Sequence, residues 1–571
     1  MMKKKWISGL LSAALLAMTA MAAGTVAQAA SEDTQEVILL DGEEEAEEGG
    51  TLSDEGSTVY AGTVSPSASA AKITACSGYS AGKIRITAKV AAPVKSVDNY
   101  YYLFRVNSET GKLETRVAKV KKVKKGSQKL TFTLKTDGHP EYVMNKYSLA
   151  VKTKKGSKMS CYTRISSSRF VNTPEKASTN SASYKLPKTK KGLQTTDFSQ
   201  LAQTKSSTAF CNLQMSTVLT RSAESVPYVY NGKTYYFSKI GGYQIYVSQC
   251  NQKGIQVTMQ LLLDWTSATQ DLIAADTQKA GVPFYAWDTR NAAAKQKMEA
   301  LFSFLAETFS TPDCYVSNWI LGNEVNSYNY WNYPGNMSKS EYVASYTEAF
   351  RCLYNAVRSK KASSKVFICV DHLWTETAQG YSSKDMIDSF AARLKKVQKD
   401  VNWNLAYHAY PFPLTDCRFW QAPGSSAYGH YLSNDVNARV ITFSNLSVLT
   451  NYIKSKYGSD TRIILSEQGF TSTVGQENQA AAIALGYYIA ACNPMIDAFI
   501  IRSYQDEPHE VAQNLAMGIS GKKAMKVFTY MDSKKSLKYT ESYLKSQVGS
   551  SWKSWVPNYS TKRLYSFYRK E

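Results

Sequence analysis

At 571 residues the chain is too long for one ordinary domain, and with 43% hydrophobic residues it can bury at least one large core. Its nine cysteines show no C-x-x-C spacing, which argues against a zinc site, and their odd number leaves at least one of them unpaired. The formal net charge is +22 at pH 7. We therefore expect a basic protein of two or more domains.

Residues 1–30 have the features of a secretory signal peptide. Lysines at positions 3–5 precede an apolar run over residues 6–23, and an A-x-A cleavage site follows at 27–29. The run is short and rich in small residues, which distinguishes it from a membrane anchor, and no second apolar stretch of about 18 residues follows. We expect the mature protein to be secreted and extracellular or associated with the cell surface, without a transmembrane segment.

The charge is distributed unevenly along the chain. Residues 31–58 contain eleven acidic residues and no basic one, and such a block is expected to be disordered because it repels itself. Without these acids and the three lysines of the leader, residues 59–571 carry a charge of about +30. The remainder of the chain is therefore strongly basic.

Charge alone attracts an anionic cell-wall polymer, an acidic polysaccharide or nucleic acid, and a plain solvated surface is the alternative. Many lysines fall in segments that resemble turns, at 121–126 and 152–158. No recognised nucleic-acid motif accompanies the charge, so nucleic acid is the least favoured partner.

Residues 59–173 have the pattern of a small all-β sandwich of immunoglobulin or fibronectin type III style. Short alternating segments are separated by turns rich in Gly, Asp and Pro. Residues 174–189 form a polar linker. The sandwich is expected to act as a spacer or to bind sugar or cell wall. Its predicted strands are Lys83–Val90, Tyr100–Val106, Leu130–Leu134, Tyr147–Lys152 and Cys161–Ile165.

From residue 190 to 571 the pattern changes to strands that alternate with helices, as in parallel β/α construction. Apolar residues repeat at helical spacing over 298–309, and Ser338 with Glu341 predicts a capping box at the start of another helix. Eight units over about 380 residues favour a closed (β/α)₈ TIM barrel, and an open doubly wound sheet is the alternative. The predicted strands are Gly192–Gln194, Ala209–Met215, Gln256–Leu263, Val316–Leu321, Val366–Val370, Leu405–His408, Arg462–Leu465 and Ala498–Ile501.

Polar and aromatic side chains follow these strands at the end where such barrels carry their reacting groups. Each polar residue is either a ligand contact or a hydrogen-bonding residue of the strand end, and each tryptophan either stacks on a sugar or packs in the core. The candidates are Asp264 and Trp265 after strand three, Asn323 and Glu324 after strand four, His372 and Trp374 after strand five, His408 and Tyr410 after strand six, Glu467 on strand seven, and Arg502 and Tyr504 after strand eight.

Two of these residues suggest a reaction. Hydrolysis of a glycosidic bond with retention needs two carboxyl groups about 5 Å apart. Glu324 and Glu467 stand three strands apart, which in an eight-stranded barrel places them across its mouth. The alternative is a pair of buried structural carboxylates, which would need a partner such as Arg502 to offset desolvation.

The sequence around these two residues resembles a known group of enzymes. NWILGNEVN at 318–326 and ILSEQGF at 464–470 are similar to the strand-four and strand-seven signatures of the glycoside hydrolase clan A barrels, over about residues 190–530. The resemblance implies that Glu324 is the general acid/base and Glu467 the nucleophile. It also implies that Asn323 donates to the sugar 2-hydroxyl and that His408 and Tyr410 form the polar pair of strand six, with Tyr410 orienting the nucleophile.

A narrower resemblance, to a secreted bacterial family usually labelled as a domain of unknown function, rests on YNGKTYYF, WILGNEVN, VDHLW, AYHAYPFP and LSEQGF. The chain departs from clan A in two places. Strand two ends in Gln214-Met215-Ser216 without the expected Arg, and strand eight supplies Arg502 and Tyr504 where a Trp is common.

Two functions follow as hypotheses. The first is a retaining glycoside hydrolase that acts on an extracellular poly- or oligosaccharide and requires no metal or organic cofactor. The second is a non-catalytic carbohydrate-binding or cell-surface adhesion protein that keeps a glycosidase-like barrel.

Overall fold

The computed structural model describes residues 62–107, 110–155 and 158–569. The predicted signal peptide and the acidic segment lie outside these residues. Among the residues described, the chain forms two compact units: the first extends to Thr179 and includes Val229–Tyr235, and the second contains the rest from Asn180 onward. No helix within the described ranges is both long and apolar enough to cross a membrane.

The first unit is all-β, with two antiparallel sheets. One sheet has the order β1-β2-β5, and the other has the order β4-β3-β6-β7, with β8 paired to β6. Apolar residues alternate along β2 and β5, so that one face of their sheet is buried. The assignment to the immunoglobulin or fibronectin class stays a prediction. The strands are β1 (Ala71–Ser80), β2 (Lys83–Val90), β3 (Tyr100–Val106), β4 (Leu113–Lys122), β5 (Gln128–Lys135), β6 (Lys146–Lys155), β7 (Lys158–Arg164) and β8 (Arg169–Phe170).

Strands β1, β4 and β8 were not predicted from the sequence. Lys121 and Lys122 belong to β4 and pair with Tyr101 and Tyr100 of β3, so they lie in a strand rather than in a turn. The physical reason is the cross-strand ladder, which holds these two exposed lysines in extended backbone whatever their own preference for turns.

The second unit contains a closed barrel of eight parallel strands, as predicted. Each observed strand overlaps the corresponding predicted strand. Most strand residues are buried on both faces, because side chains fill the barrel and helices cover it. In order around the barrel the strands are β9 (Lys191–Gln194), β10 (Thr208–Gln214), β13 (Gln256–Leu262), β14 (Asn318–Leu321), β15 (Lys365–Val370), β16 (Asn404–Tyr407), β17 (Ile463–Gln468) and β18 (Ile496–Ile501).

The connections between barrel strands contain the helices and one hairpin, formed by β11 (Ser225–Tyr230) and β12 (Lys233–Ser238). The predicted capping box is present, with Ser338 and Glu341 bonded to each other's backbone amides at the start of the helix Lys339–Lys360. The helices are α1 (Phe198–Thr204), α2 (Met215–Leu219), α3 (Gly241–Gln252), α4 (Ala292–Thr308), α5 (Tyr328–Trp331), α6 (Lys339–Lys360), α7 (Ser383–Val397), α8 (Leu446–Tyr457), α9 (Gln476–Cys492), α10 (Pro508–Val511), α11 (Lys523–Tyr530), α12 (Ser536–Gln547) and α13 (Thr561–Leu564).

Candidate active site

The carboxyl ends of β14, β16 and β17 bring two buried carboxyl groups to one region of the barrel. Glu324 follows β14 and is bonded to His408, which follows β16. Glu467, on β17, is bonded to Tyr410, two residues beyond His408. The ring centroids of His408 and Tyr410 are 6.2 Å apart, so a short segment of one strand end separates the two carboxyl groups.

The turn that carries Glu324 has an unusual backbone. Gly322 has a φ of +74° and Glu324 a φ of +37°, which is rare for a residue with a side chain. A Cβ at position 322 would also lie 3.1 Å from Asn332 Oδ1. Both the positive φ and this close contact therefore favour glycine at position 322. Backbone strain of this kind persists where the surroundings hold it, and it clusters at functional sites.

Glu324 is 4% exposed, and only one of its two oxygens is bonded. His408 Nδ1 lies 2.8 Å from Glu324 Oε1. Oε2 is buried and has no hydrogen-bond partner among the described residues. Burial raises the pKa of Glu324 to about 7; His408 opposes this rise, and the charges of Asp371 and Glu467 add to it. The unbonded oxygen is therefore able to carry a proton near neutral pH.

Glu467 has a different environment, although it too is buried. Tyr410 donates its hydroxyl hydrogen to Glu467 Oε1 at 2.6 Å, and Arg502 Nε lies 3.7 Å from the same oxygen. Burial alone would raise the pKa of Glu467, but the positive charges of His408 and Arg502 and the bond from Tyr410 lower it below its ordinary value. Two neighbouring carboxyl groups thus have pKa values shifted in opposite directions, which is typical of an acid and base pair.

Two residues that follow Glu467 hold the end of β16 beside β17. Gln468 accepts a bond from the Ala409 amide at 3.1 Å and donates to the Tyr407 carbonyl at 3.1 Å. Gly469 leaves room for Tyr410, because a Cβ there would lie 2.9 Å from Tyr410 Cε1 and 2.3 Å from Met517 Sδ. These contacts place Tyr410 against Glu467 and explain the glutamine and glycine that follow the glutamate.

Asn323 is oriented by a residue that the sequence analysis did not identify. Gln260, on β13, donates to Asn323 Oδ1 at 3.0 Å and to the Gly322 carbonyl at 2.9 Å. The amide nitrogen of Asn323 has no bond to any described residue, so it can donate to a ligand. A polar residue inside the buried run of β13 was the one sequence signal for Gln260.

Arg502 links Glu467 to a third carboxyl group that the sequence analysis also missed. Its Nη1 donates to Glu510 Oε1 at 2.5 Å. Glu510 lies on α10 and is fully buried, and burial raises its pKa despite the charge of Arg502. Arg502 is therefore a shared cation between two buried acids.

Three other predicted residues contact residues other than the two glutamates. Asp264 accepts a bond from the Ser216 amide at 3.0 Å. Trp265 is half-buried and lies against Tyr285, with ring centroids 5.0 Å apart. The Tyr504 hydroxyl donates to Gln203 on α1. The contacts of these three predicted residues are thus with neighbouring loops and helices rather than with the two glutamates.

The two candidates after β15 differ from each other. His372 is 2% exposed, its Nδ1 has no partner in the described part of the chain, and burial lowers its pKa. Trp374 is fully buried, and its Nε1 donates to the Val436 carbonyl at 3.0 Å. The full burial of Trp374 favours core packing over stacking on a sugar, the two alternatives that the sequence left open.

A pocket of about 550 Å³ lies in the segment that follows β16. Phe412, Trp420 and Tyr428 contribute aromatic surface to it, and Arg418 and Asp416 contribute a doubly bonded ion pair, with distances of 2.9 and 2.7 Å. A mixture of aromatic surface and a few polar groups is typical of small-molecule sites.

A group of side chains with the spacing of metal ligands lies outside this region, on α4 and α6. Glu299, Glu348 and Cys352 offer ligand atoms within 4.8 Å of one another. Lys295 Nζ and Arg351 Nη2 each lie 2.7 Å from Glu348 Oε1. Since these cations already compensate the carboxylate, the group is adequately explained as an ion-pair network.

The second unit is thus a closed (β/α)₈ barrel with two buried carboxyl groups, those of Glu324 and Glu467, at the carboxyl ends of its strands. The chain belongs to a protein family described as "Family of unknown function (DUF5722)", whose model matches residues 183–555. Comparison with curated proteins gives no match.

Several solved structures are similar to the chain at low identity. Bacteroides uniformis beta-glucuronidase 2, covalently bound to cyclophellitol-6-carboxylate aziridine, is 10% identical with a TM-score of 0.35 over 81% of this chain and 51% of that one. A Bacteroides ovatus GH5 xyloglucanase in complex with an XXXG heptasaccharide is 9% identical with a TM-score of 0.35, over 82% and 97%. A putative beta-galactosidase from Bacteroides fragilis is 11% identical with a TM-score of 0.34, over 80% and 62%. The chain thus spans about half the length of the glucuronidase.

Proposed function

We propose that this protein is a secreted retaining glycoside hydrolase that cleaves an extracellular poly- or oligosaccharide by double displacement. One observation carries the proposal: Glu324 and Glu467 flank the His408–Tyr410 segment and have pKa values shifted in opposite directions. The basic surface expected from the sequence would keep the secreted enzyme on an anionic polymer of its surroundings.

The environments of the two carboxyl groups assign their roles. Glu467 is the nucleophile, because Arg502 and Tyr410 keep it ionised and hold one of its oxygens in place. Glu324 is the general acid, because burial keeps it protonated near neutral pH and its Oε2 is unbonded. Asn323 donates its amide hydrogen to a sugar hydroxyl beside the reacting carbon.

The reaction has two steps. In the first, Glu467 attacks the anomeric carbon and forms an ester, while the glycosidic bond breaks and the leaving oxygen takes the proton of Glu324. In the second, Glu324 removes a proton from water, the water oxygen bonds to the anomeric carbon, and Glu467 leaves as a carboxylate. Two displacements at one carbon retain its configuration.

A glycan library incubated with the wild-type protein and with Glu467→Gln tests the proposal. We expect product from the wild type alone, and we expect a 2-fluoro glycoside of the accepted sugar to label Glu467, as located by peptide mass spectrometry. Binding of glycans without turnover by both proteins would instead support a carbohydrate-binding or adhesion protein. Label on another residue would remove Glu467 as the nucleophile.

The pH dependence of kcat/KM follows from the two pKa shifts. Activity requires Glu467 ionised and Glu324 protonated. It should rise as the pH passes upward through the lowered pKa of Glu467, and it should fall as the pH passes upward through about 7, where Glu324 loses its proton. Initial rates on a glycoside with a poor leaving group, which needs the proton of Glu324, measure both limbs between pH 3 and about 9. A rate that stays constant through the upper limb would contradict the role of Glu324.

A further inference from the structure

The outer face of the sheet β1-β2-β5 carries positive charge without any negative charge. None of the three strands contains Asp or Glu. Five exposed lysines and one half-buried arginine occupy this face, and no carboxylate pairs with any of the six within the residues that the structure describes. These six cations, called here the cationic face, are Lys72, Lys83, Arg85, Lys89, Lys129 and Lys135.

The lysines of the cationic face lie directly opposite one another. Lys89 of β2 pairs in register with Lys72 of β1 on one side and with Lys129 of β5 on the other. Lys83 of β2 pairs with Lys135 of β5. Like charges in directly opposed positions destabilise a sheet. The arrangement opposes folding stability, so stability does not explain it.

One cation of the second sheet of the same unit provides a contrast. There Arg105 Nε lies 2.8 Å from Glu114 Oε2, and Asn107 also donates to this glutamate. Arg105, a half-buried cation on β3, is thus compensated by an acid on β4. On the cationic face the compensating acids are missing from the strands themselves, which leaves the charge available to a ligand from outside.

We propose that the cationic face binds an acidic polysaccharide, a linear glycan that carries carboxylate groups. One row of opposed lysines contains Lys72, Lys89 and Lys129, and the other contains Lys83 and Lys135. The two rows are separated by six residues of β2, about 20 Å, so an extended polymer can contact both. Between the rows Thr87, Thr131 and Thr133 present hydroxyl groups that can bond to those of a glycan. The choice of a glycan rests on the proposed function, whereas the choice of an anion rests on the charges alone.

The face does not favour single-stranded nucleic acid, which binds by stacking its bases on aromatic side chains. Tyr79 is the aromatic residue next to the cations, and the guanidinium of Arg85 lies 3.1 Å from the centre of its ring. That face of the ring is therefore already covered.

The test compares the full protein with the triple variant Lys72→Gln, Lys89→Gln, Lys129→Gln. Binding to polygalacturonate, measured by calorimetry at low salt, should weaken by about tenfold or more, and binding by the parent should weaken steeply with added salt. The thermal midpoint of the variant should equal or exceed that of the parent, because the opposed charges are gone. Turnover of a small aryl glycoside should not change.

A matched control tests whether binding depends on the cationic face or only on the net charge of the protein. The variant Lys395→Gln, Lys396→Gln, Lys399→Gln removes three exposed lysines from the end of α7 and the loop after it, and it should bind as the parent does. Equal loss in both triple variants, or no loss in the first, would overturn the proposal. Tighter binding of poly(glycerol phosphate) or single-stranded DNA than of polygalacturonate would overturn the proposal that the ligand is a carboxylate glycan. The same measurements in a Glu467→Gln background separate this outcome from a failure of the proposed hydrolase.

Discussion

Replacing Glu467 with Gln is expected to lower kcat by about 10⁴-fold or more, since an amide cannot form the ester that the first step requires. The amide has the shape of the carboxyl group and can still accept the bond from Tyr410, so the fold should be kept. Initial rates on the accepted glycan, with thermal unfolding as a check, measure the effect. Glu477→Gln is the matched control, because Glu477 is 43% exposed and pairs with Lys523 on the surface.

Replacing Glu324 with Gln should give a different pattern. With a poor leaving group, which needs a proton, the rate should fall by about 10² to 10⁴-fold. With dinitrophenolate, which leaves without a proton, the first step should remain fast and the glycosyl-enzyme should accumulate, visible as a burst of released phenolate. A burst from Glu467→Gln, and none from Glu324→Gln, would reverse the assignment of the two roles.

The second large effect is expected at Arg502, the cation shared by Glu467 and Glu510. Arg502→Met removes the cation that two buried carboxyl groups share, and the loss of one partner from such a buried arrangement typically costs about 3–5 kcal/mol. Urea unfolding at neutral pH, followed on the transition of the barrel, should show a lower free energy of unfolding. The acid limb of kcat/KM should also move upward, because the charge of Arg502 lowers the pKa of Glu467.

Arg418→Met is the control for Arg502→Met, since Arg418 has a doubly bonded carboxylate partner but a side chain that is 34% exposed. A surface pair of this kind contributes about 1 kcal/mol or less. The double variant Arg502→Met, Glu510→Gln should recover part of the lost stability, because one of the two uncompensated acids is then neutral. Equal stability of Arg502→Met and the parent would show that the cation does not offset the burial of the two acids.

The barrel could be predicted from the sequence because its strands are buried on both faces and so form short apolar runs, which alternate with long helical patterns. The strand ends could be located for the same reason, and with them Glu324, His408 and Glu467. Strand β4 was missed because exposed lysines in a paired strand have the composition of a turn.

The residues that support the site could not be predicted, because their partners are distant in the chain. Gln260 bonds to Asn323, which is 63 positions away, and Gln468 bonds to Ala409, which is 59 positions away. A glutamine in a buried strand has no sequence feature that reveals such a partner. The environment of Trp374 could not be predicted either. A tryptophan after a strand has the same local sequence whether it faces a cleft or, as here, donates to the Val436 carbonyl in the core.

In the proposed reaction Glu467 becomes an ester in the glycosyl-enzyme, and its negative charge then disappears. That charge is one of the causes that raise the pKa of Glu324, so the affinity of Glu324 for a proton drops as soon as it has delivered one. Glu324 then stays ionised while it activates water. When the ester is cleaved, the returning charge draws a proton back. In the proposed reaction the covalent state of Glu467 thus contributes to the protonation of Glu324, in addition to the larger effect of burial.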